Sequence, residues 1–346
     1  MEFFLFLSPI CVCLSSFFVI YTIRFFDIVE KEPLKPIIFA FIFGIASAFS
    51  TGILISYIPT PTFLLTVLLD LGEATYENLY TFIDAPLIEE LLKFAGLILV
   101  YKFFKRDFHT LTDFIIYSCV VAAGFQFIEN LQYLFGSVYE KDFVYSWNSM
   151  LSERVITNGY MHLLWTSWSG VGLWVWVRTN LKFPTTILFV FIAILLHSFN
   201  NLAAVISGLF YNPNENLNSF YYIGEFLYPV IRSISLAGFL SIIVFALIRD
   251  VQFLNEFEFK IYNYNALSEL EISNLKTLAN PISNIFARYK WSWRLLNKYK
   301  KKIIPREFYN SFSKYALSFS NEYSGNNEEM KKVYLEKAVN LLGAIE

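Results

Sequence analysis

Long apolar runs, each close to the length that crosses a bilayer, fill most of the first 250 residues. About 20 such residues are enough for an α-helix to span the hydrocarbon core. The chain is 56% hydrophobic and 16% charged, whereas an average soluble domain holds about 25% charged residues. The sequence therefore predicts an all-α, polytopic membrane protein with about seven transmembrane helices. The predicted spans are 3–26, 36–57, 82–101, 112–135, 159–177, 184–209 and 226–248.

The balance of charge changes along the chain. Residues 1–249 hold 13 Lys and Arg against 18 Asp and Glu, whereas residues 250–346 hold 14 against 11. We therefore predict a transmembrane domain at 1–249 and a cytoplasmic helical tail at 250–346. The basic and aromatic stretch 286–304 either lies on an anionic membrane surface or forms the solvated face of a small helical domain. The last helix of the tail is predicted at 328–345.

Lys and Arg are distributed unevenly among the predicted loops. The second, fourth and sixth loops hold only Lys141 and Arg154, whereas the other three hold eight basic residues. Short loops rich in Lys and Arg stay on the cytoplasmic side. The pattern predicts an extracytoplasmic N-terminus and a cytoplasmic C-terminus. The eight are Arg24, Lys31, Lys35, Lys102, Lys105, Arg106, Arg178 and Lys182.

Six ionisable residues interrupt the predicted spans. A charge at the bilayer centre costs roughly 2.5–3.5 kcal/mol even on insertion scales. In the predicted orientation, four different helices place these residues in the outer half of the membrane. Their agreement in depth predicts one buried polar site, to which Asn130 adds an amide. The six residues are Glu89, Glu90, Lys93, Glu129, His162 and His197.

Local spacing relates several of these residues to one another. Glu89 and Lys93 lie one helical turn apart, in the order that favours an ion pair. Glu89 and Glu90 point about 100° apart around the helix, so both reach one site only if it wraps that helix. His197 and Asn201 are also four residues apart, so the amide can orient the imidazole or a bound carbonyl group.

These residue types suit the hydrolysis of a peptide bond. That reaction needs an activated water, a proton donor for the leaving amine and a group that stabilises the oxyanion. Glu89 is the predicted base, with Glu90 as a supporting acid or second base. Glu129, His162 and His197 are possible ligands for Zn²⁺. The H-E-x-x-H motif is absent, so activation of water by glutamate and histidine without a metal remains open.

Four ordered motifs resemble those of the PrsW intramembrane proteases. The loop D-I-V-E-K-E-P at 27–33 is similar to that family as well, and the resemblance covers roughly residues 20–210. The motifs are D-A-P-L-I-E-E-L-L-K at 84–93, G-F-Q-F-I-E-N-L-Q-Y at 124–133, R-x7-H at 154–162 and H-S-F-N-N at 197–201.

The resemblance implies a polytopic peptidase that cleaves a membrane-anchored protein, such as an anti-sigma factor, at an extracytoplasmic site. It places Glu89, Glu90, Glu129, His162 and His197 in the functional motifs. Asn201 matches the family's H-x-x-x-N motif, although the neighbouring Asn200 could supply the amide. The related CAAX prenyl endopeptidases carry F-x-x-x-H where this chain has F-x-x-x-E, from Phe125 to Glu129, which argues against a prenylated substrate.

Two other classes of function remain open from the residues. Intramembrane carboxylates also serve proton- or ion-coupled transporters, and a seven-helix scaffold without activity would have a similar composition. His109 lies in a basic loop and is predicted to be uninvolved. Arg232, near the outer end of the last span, is explained by a side chain that reaches the interface. The expected partners are the lipid bilayer and a membrane-anchored protein, and no nucleic acid.

Overall fold

Every regular element in the described part of the chain is helical, which confirms the all-α fold class. The computed structural model describes residues 1–26, 32–179, 183–210, 219–262, 311, 314–316, 318–319 and 327–343. The helices are α1 (Glu2–Phe26), α2 (Leu34–Tyr57), α3 (Pro61–Leu68), α4 (Glu73–Leu79), α5 (Ala85–Phe104), α6 (Leu111–Ser137), α7 (Phe143–Met150), α8 (Met161–Arg178), α9 (Phe183–Leu209), α10 (Ser219–Tyr262) and α11 (Glu328–Gly343). Two π-helical segments, π1 (Tyr80–Asp84) and π2 (Leu151–Thr157), precede α5 and follow α7.

Within the described residues, five helical stretches are long and apolar enough to cross a membrane. The predicted count of seven is therefore not confirmed. The other two predicted spans coincide with α5 and α8, which carry several of the polar residues of interest. Charged side chains at Glu89, Glu90, Lys93 and Lys102 lower the apolar character of α5. The five stretches are Glu2–Arg24, Leu34–Leu68, Leu111–Ser137, Phe183–Leu209 and Tyr221–Asp250.

The chain divides into two compact units. The first comprises Met1–Ile23, Pro33–Lys105 and Phe114–Ile242, and the second comprises Arg24–Glu32, Arg106–Asp113 and Ile243–Glu346. The predicted domain boundary at 249/250 lies inside α10, which continues to Tyr262. In the second unit, α11 begins at the predicted residue, Glu328. The stretch 286–304 lies outside the described residues.

The core of the first unit is formed by α6 and α8. Most side chains of α8 between Met161 and Val175 are buried, and so are most of those in the first half of α6. α8 packs along α9, and α5 packs against α2, α8 and α9. A helix that is buried on all sides is typical of the interior of a membrane bundle. The buried polar side chains on α5, α8 and α9, among them Glu90, His162 and His197, therefore lie inside the bundle.

A pair of glycines brings the backbones of α2 and α6 into contact. A Cβ atom at Gly44 would lie 2.0 Å from the carbonyl oxygen of Val121, and one at Gly124 would lie 2.1 Å from that of Phe41. Neither position can carry a side chain without separating the helices. Small residues at such crossings are typical of helix packing in membranes. This crossing fixes α6, and with it Glu129, relative to α2.

The start of α5 is tied to α3 by a buried carboxylate. Asp84 is fully buried and accepts hydrogen bonds from the backbone N–H and the hydroxyl of Thr62. The π1 segment ends at Asp84, and Pro86 lies in the first turn of α5. Proline is well tolerated there because the first N–H groups of a helix have no partner within it. These contacts set the rotation of α5 one turn before Glu89.

α1 is attached to the segments that follow α6. The Trp147 indole N–H donates to the Ser8 hydroxyl at 2.8 Å, and the Ser15 hydroxyl donates to the carbonyl oxygen of Val155 at 3.0 Å. Val12 of α1 joins Trp147 and Val155 in one apolar cluster. These contacts hold α7 and π2 against α1. They thereby position Arg154, which lies in π2.

Candidate active site

The first unit contains a cavity of about 740 Å³, and its walls come from α2, α5, α6, α7, α8, α9 and α10 and from the two π-helical segments. Four of the six ionisable residues predicted to form a site line this cavity. They are Glu89, Glu129, His162 and His197. The other two, Glu90 and Lys93, are fully buried behind its wall. The structure therefore brings all six residues together in one region.

Lys93 lies at the centre of this group. Its Nζ atom is 2.8 Å from Oε1 of Glu90, 2.9 Å from Nδ1 of His162 and 3.5 Å from Oε2 of Glu89. The ammonium group also lies 3.9 Å from the centre of the Phe125 ring, a cation–π contact. A buried lysine with these partners balances the charge of the two neighbouring carboxylates. The contact with Glu90 is shorter than the predicted contact with Glu89.

Glu90 has no exposed surface, and its contacts involve both carboxylate oxygens. Oε1 accepts from Lys93 and lies 3.2 Å from Nδ1 of His197, while Oε2 accepts from the Thr166 hydroxyl at 2.8 Å. A carboxylate cannot donate, so Nδ1 of His197 carries the proton in this pair. The other nitrogen of His197, Nε2, is then an acceptor. It lies 4.0 Å from Oε2 of Glu89.

Glu129 connects His162 to an arginine. Its Oε2 atom is 2.7 Å from Nε2 of His162, and its Oε1 atom accepts from Nη2 of Arg154 at 2.6 Å. Because Lys93 donates to Nδ1 of His162, the His162 proton lies on Nε2, the nitrogen close to Glu129. The guanidinium group of Arg154 also stacks on the ring of Tyr133, at 3.6 Å from its centre. Glu129 is thus held by one cation and one imidazole.

Aromatic side chains orient the two imidazoles. The Trp165 ring stacks on His197 with 4.3 Å between ring centres and an angle of 17°. His162 and His197 meet edge to face at 4.9 Å, and Phe125 contacts His162 at 5.6 Å. The rings leave each imidazole little freedom to turn. The site is therefore organised before a substrate arrives.

Four asparagines line the same cavity, namely Asn130, Asn158, Asn200 and Asn201. Nδ2 of Asn201 donates to the carbonyl oxygen of Thr81 at 3.0 Å, and Nδ2 of Asn200 lies 3.4 Å from Oδ1 of Asn201. The Oδ1 atom of Asn200 is buried and makes no hydrogen bond to another described residue. Asn130 is 4% exposed. Each amide nitrogen has two donors, so Asn200 and Asn201 each keep one that these contacts do not use.

Several contacts at the site were not predicted from the sequence. The Thr166 hydroxyl donates to Glu90 from the adjacent helix, and Trp165 stacks on His197. Arg154 was quoted as part of a motif, but its pairing with Glu129 was not expected. The sequence did not indicate the role of Thr166, because a threonine within an apolar helix looks the same in the sequence whether or not its hydroxyl contacts a carboxylate.

The residues fit a divalent metal in type and spacing. Glu89, His162 and His197 can each place a ligand atom within 4.8 Å of the others, and carboxylate with imidazole is an ordinary zinc ligand set. This set contains Glu89, whereas the predicted set contained Glu129. His162 contacts Lys93 and Glu129 through its two nitrogens. It would have to give up one of these contacts to bind a metal.

These features define an α-helical membrane protein with carboxylates and imidazoles gathered around an internal cavity. The family model described as PrsW family intramembrane metalloprotease matches residues 32–230. The chain belongs to this family, and it is accordingly a membrane peptidase. The matched region contains Glu89, Glu129, His162 and His197. Comparison with curated proteins and with solved structures gave no match.

Proposed function

We propose that the protein is an endopeptidase that hydrolyses a peptide bond of a membrane-tethered protein, such as an anti-sigma factor, by means of water activated at Glu89. One observation carries this proposal. Oε2 of Glu89 and Nε2 of His197 face the same cavity at a separation of 4.0 Å. A water molecule can make hydrogen bonds to both atoms across that distance. Both atoms act as acceptors, so each can accept a hydrogen bond from one O–H group of the same water molecule.

In this reaction Glu89 is the general base. It removes a proton as the water oxygen attacks the carbonyl carbon, and it returns that proton to the leaving nitrogen when the C–N bond breaks. The side chain of Glu89 is 12% exposed, so it reaches the cavity while most of it stays away from solvent. His197 orients the water through Nε2, because Glu90 holds its proton on Nδ1.

The amide pair of α9 supplies donors for the carbonyl oxygen. Asn200 and Asn201 line the cavity one turn beyond His197, and each has an N–H that its contacts do not use. Donors placed where negative charge develops are worth several kcal/mol in catalysis. Both asparagines therefore remain candidates for this role, Asn201 through the family motif and Asn200 through its deeper burial.

The remaining residues position the groups that react. Glu90 was expected to act as a supporting acid or second base, but its contacts with Lys93, Thr166 and His197 support a positioning role. Lys93 balances the carboxylate charge. Lys93 also fixes the tautomer of His162 by donating to Nδ1, Glu129 lies beside the other ring nitrogen, and Asn130 lines that wall of the cavity.

Three amide oxygens of cavity-lining residues are suited to accept hydrogen bonds from a peptide substrate. Gln126 Oε1, Asn158 Oδ1 and Asn200 Oδ1 are buried and make no hydrogen bond to another described residue, although all three residues line the cavity. An unwound segment of a transmembrane helix needs acceptors for its backbone N–H groups. These oxygens can provide them. Transport remains the alternative function, and an inactive scaffold is the third.

Removal of His197 tests the function directly. In cells that express candidate single-pass membrane proteins, we expect fragments to appear with the wild type and to decrease about 10²-fold or more with His197→Ala, because the water loses its orienting partner. His109→Ala is the matched control. His109 is equally buried but does not line the cavity, so its loss should leave cleavage intact. Equal cleavage by the His197→Ala and wild-type proteins would favour the transporter.

Dependence on a metal is a separate prediction. A metal-dependent site is the alternative to a metal-free glutamate base: Zn²⁺ would be held by Glu89, His162 and His197, would supply a Lewis acid and a lowered pKa for bound water, and would make Glu89 a ligand. For a metal-dependent site, elemental analysis of the purified protein should find about one zinc per chain. Chelation should remove both the metal and the activity, and added zinc should restore both. Full activity in a metal-free preparation would establish water activation by glutamate and histidine alone.

We further propose that the protein lies in the bacterial cytoplasmic membrane with its N-terminus outside and its C-terminus inside. The support is the excess of Lys and Arg in alternate loops. Lys105 and Lys141 are both exposed and lie on either side of α6. In intact cells, an impermeant thiol reagent should label Lys141→Cys but not Lys105→Cys, with the unsubstituted protein as background. If only Lys105→Cys were labelled, the protein would have the opposite orientation in the membrane.

A further inference from the structure

A second arginine, Arg232, lines the active-site cavity and forms no ion pair with an acidic side chain among the described residues. The guanidinium group of Arg232 stacks on the ring of Tyr228, with 3.7 Å between Cζ and the ring centre, and both residues line the cavity. Its Nε atom is buried and makes no hydrogen bond to another described residue. Glu153 and Glu225 act on it electrostatically, but neither forms an ion pair with it.

Arg154, which lines the same cavity, is an arginine whose charge is balanced by a carboxylate. It pairs with Glu129 at 2.6 Å and stacks on Tyr133 at 3.6 Å. Arg232 has the same kind of aromatic contact but lacks the carboxylate. A guanidinium group that is partly removed from water gains most from an anion that binds two of its N–H groups. The sequence-based interpretation, in which the Arg232 side chain extends to the membrane interface, does not explain why this side chain lines the cavity.

We infer that Arg232 is a binding subsite for a carboxylate of the substrate, either an acidic side chain or a free carboxyl terminus. This inference rests on the proposed peptidase function. A lipid phosphate has similar chemistry, but the substrate is favoured because the same cavity contains Glu89 and His197. A peptide held at these two residues lies in the cavity that Arg232 also lines. Arg232 therefore selects peptides with an acid near the bond that is cut.

A pair of small probes tests this subsite without any cleavage. N-octanoyl-Gly-Gly and its C-terminal amide differ only in the carboxylate, and calorimetry can measure their Kd with the full-length protein in phosphatidylcholine nanodiscs. We expect the wild type to bind the acid about tenfold more tightly, because a guanidinium group forms stronger hydrogen bonds with a carboxylate than with a neutral amide. Arg232→Gln should remove this preference. Arg232→Lys should keep part of it, because it retains the charge.

Arg249→Gln is the matched control, because Arg249 lies on the same helix but does not line the cavity. It should keep the full preference for the acid. Equal affinity of the wild type for the two probes would overturn the inference, whether or not the variants fold. Loss of the preference when phosphatidylglycerol is added would also overturn it, since a lipid headgroup would then be the ligand. If cleavage experiments failed while the probe preference held, only the peptidase mechanism would be wrong.

Discussion

Glu89→Gln should lower the rate of substrate cleavage by about 10²–10⁴-fold, the usual contribution of a general base. The amide keeps the size of the side chain and can still accept a hydrogen bond, but it cannot take a proton from water. Because the ion pair of Glu90 and Lys93 is left intact, we expect expression and thermal stability close to those of the wild type. Quantified cleavage fragments and thermal unfolding of the purified variant measure the two effects.

Glu77→Gln provides the control for this experiment. Glu77 is exposed in α4 and does not line the cavity, so the same chemical change there should leave the cleavage rate unchanged. A Glu89→Gln variant that cleaves at the wild-type rate would exclude Glu89 as the base. A variant that is inactive and also unfolded would contradict the expectation that Glu89 contributes little to stability.

Lys93→Met should destabilise the protein by about 3–5 kcal/mol, the cost of breaking a buried ion pair by removing one partner. Methionine fills a similar volume, so the main loss is electrostatic. Glu90 would keep a negative charge with no surface exposed to water, and His162 would lose the donor to its Nδ1 atom. Unfolding in nanodiscs, followed by heat or denaturant, measures the change.

A second substitution separates charge from packing in this experiment. In Lys93→Met with Glu90→Gln, the uncompensated charge is gone, so part of the lost stability should return. Lys102→Met, on the exposed end of the same helix, should change the stability little. If Lys93→Met were as stable as the wild type, Lys93 would not be the counter-charge of Glu90.

The gathering of six ionisable residues could be predicted because each one is costly in a membrane by itself. When four helices each carry such a group at a similar depth, bringing the groups together removes them from lipid and lets them pair with one another. Their pairing could not be predicted. On one helix face, Lys93 can reach back three residues to Glu90 or four to Glu89, and the shorter contact goes to Glu90 only because α8 presents His162 and Thr166 on that side.

The short elements around the cavity were also not predicted. π1 and π2 have the composition of ordinary helix, and their wider turns depend on contacts such as that of Asp84 with Thr62. π-helical turns are frequent at functional sites, and both line this cavity through Thr81 and Arg154. Their place in the sequence gave no sign of this, because hydrophobic periodicity does not distinguish a π turn from an α turn in so few residues.

The position of Lys93 within α5 also bears on how the protein is made. Lys93 and Glu90 are three residues apart on one helix, so their charges can neutralise each other while α5 enters the bilayer, before any other helix is in place. Glu129 has no such local partner, and its cation, Arg154, is 25 residues later in the chain. We therefore expect α5 to be inserted as a unit, whereas Glu129 becomes stable in the membrane only after Arg154 has been synthesised.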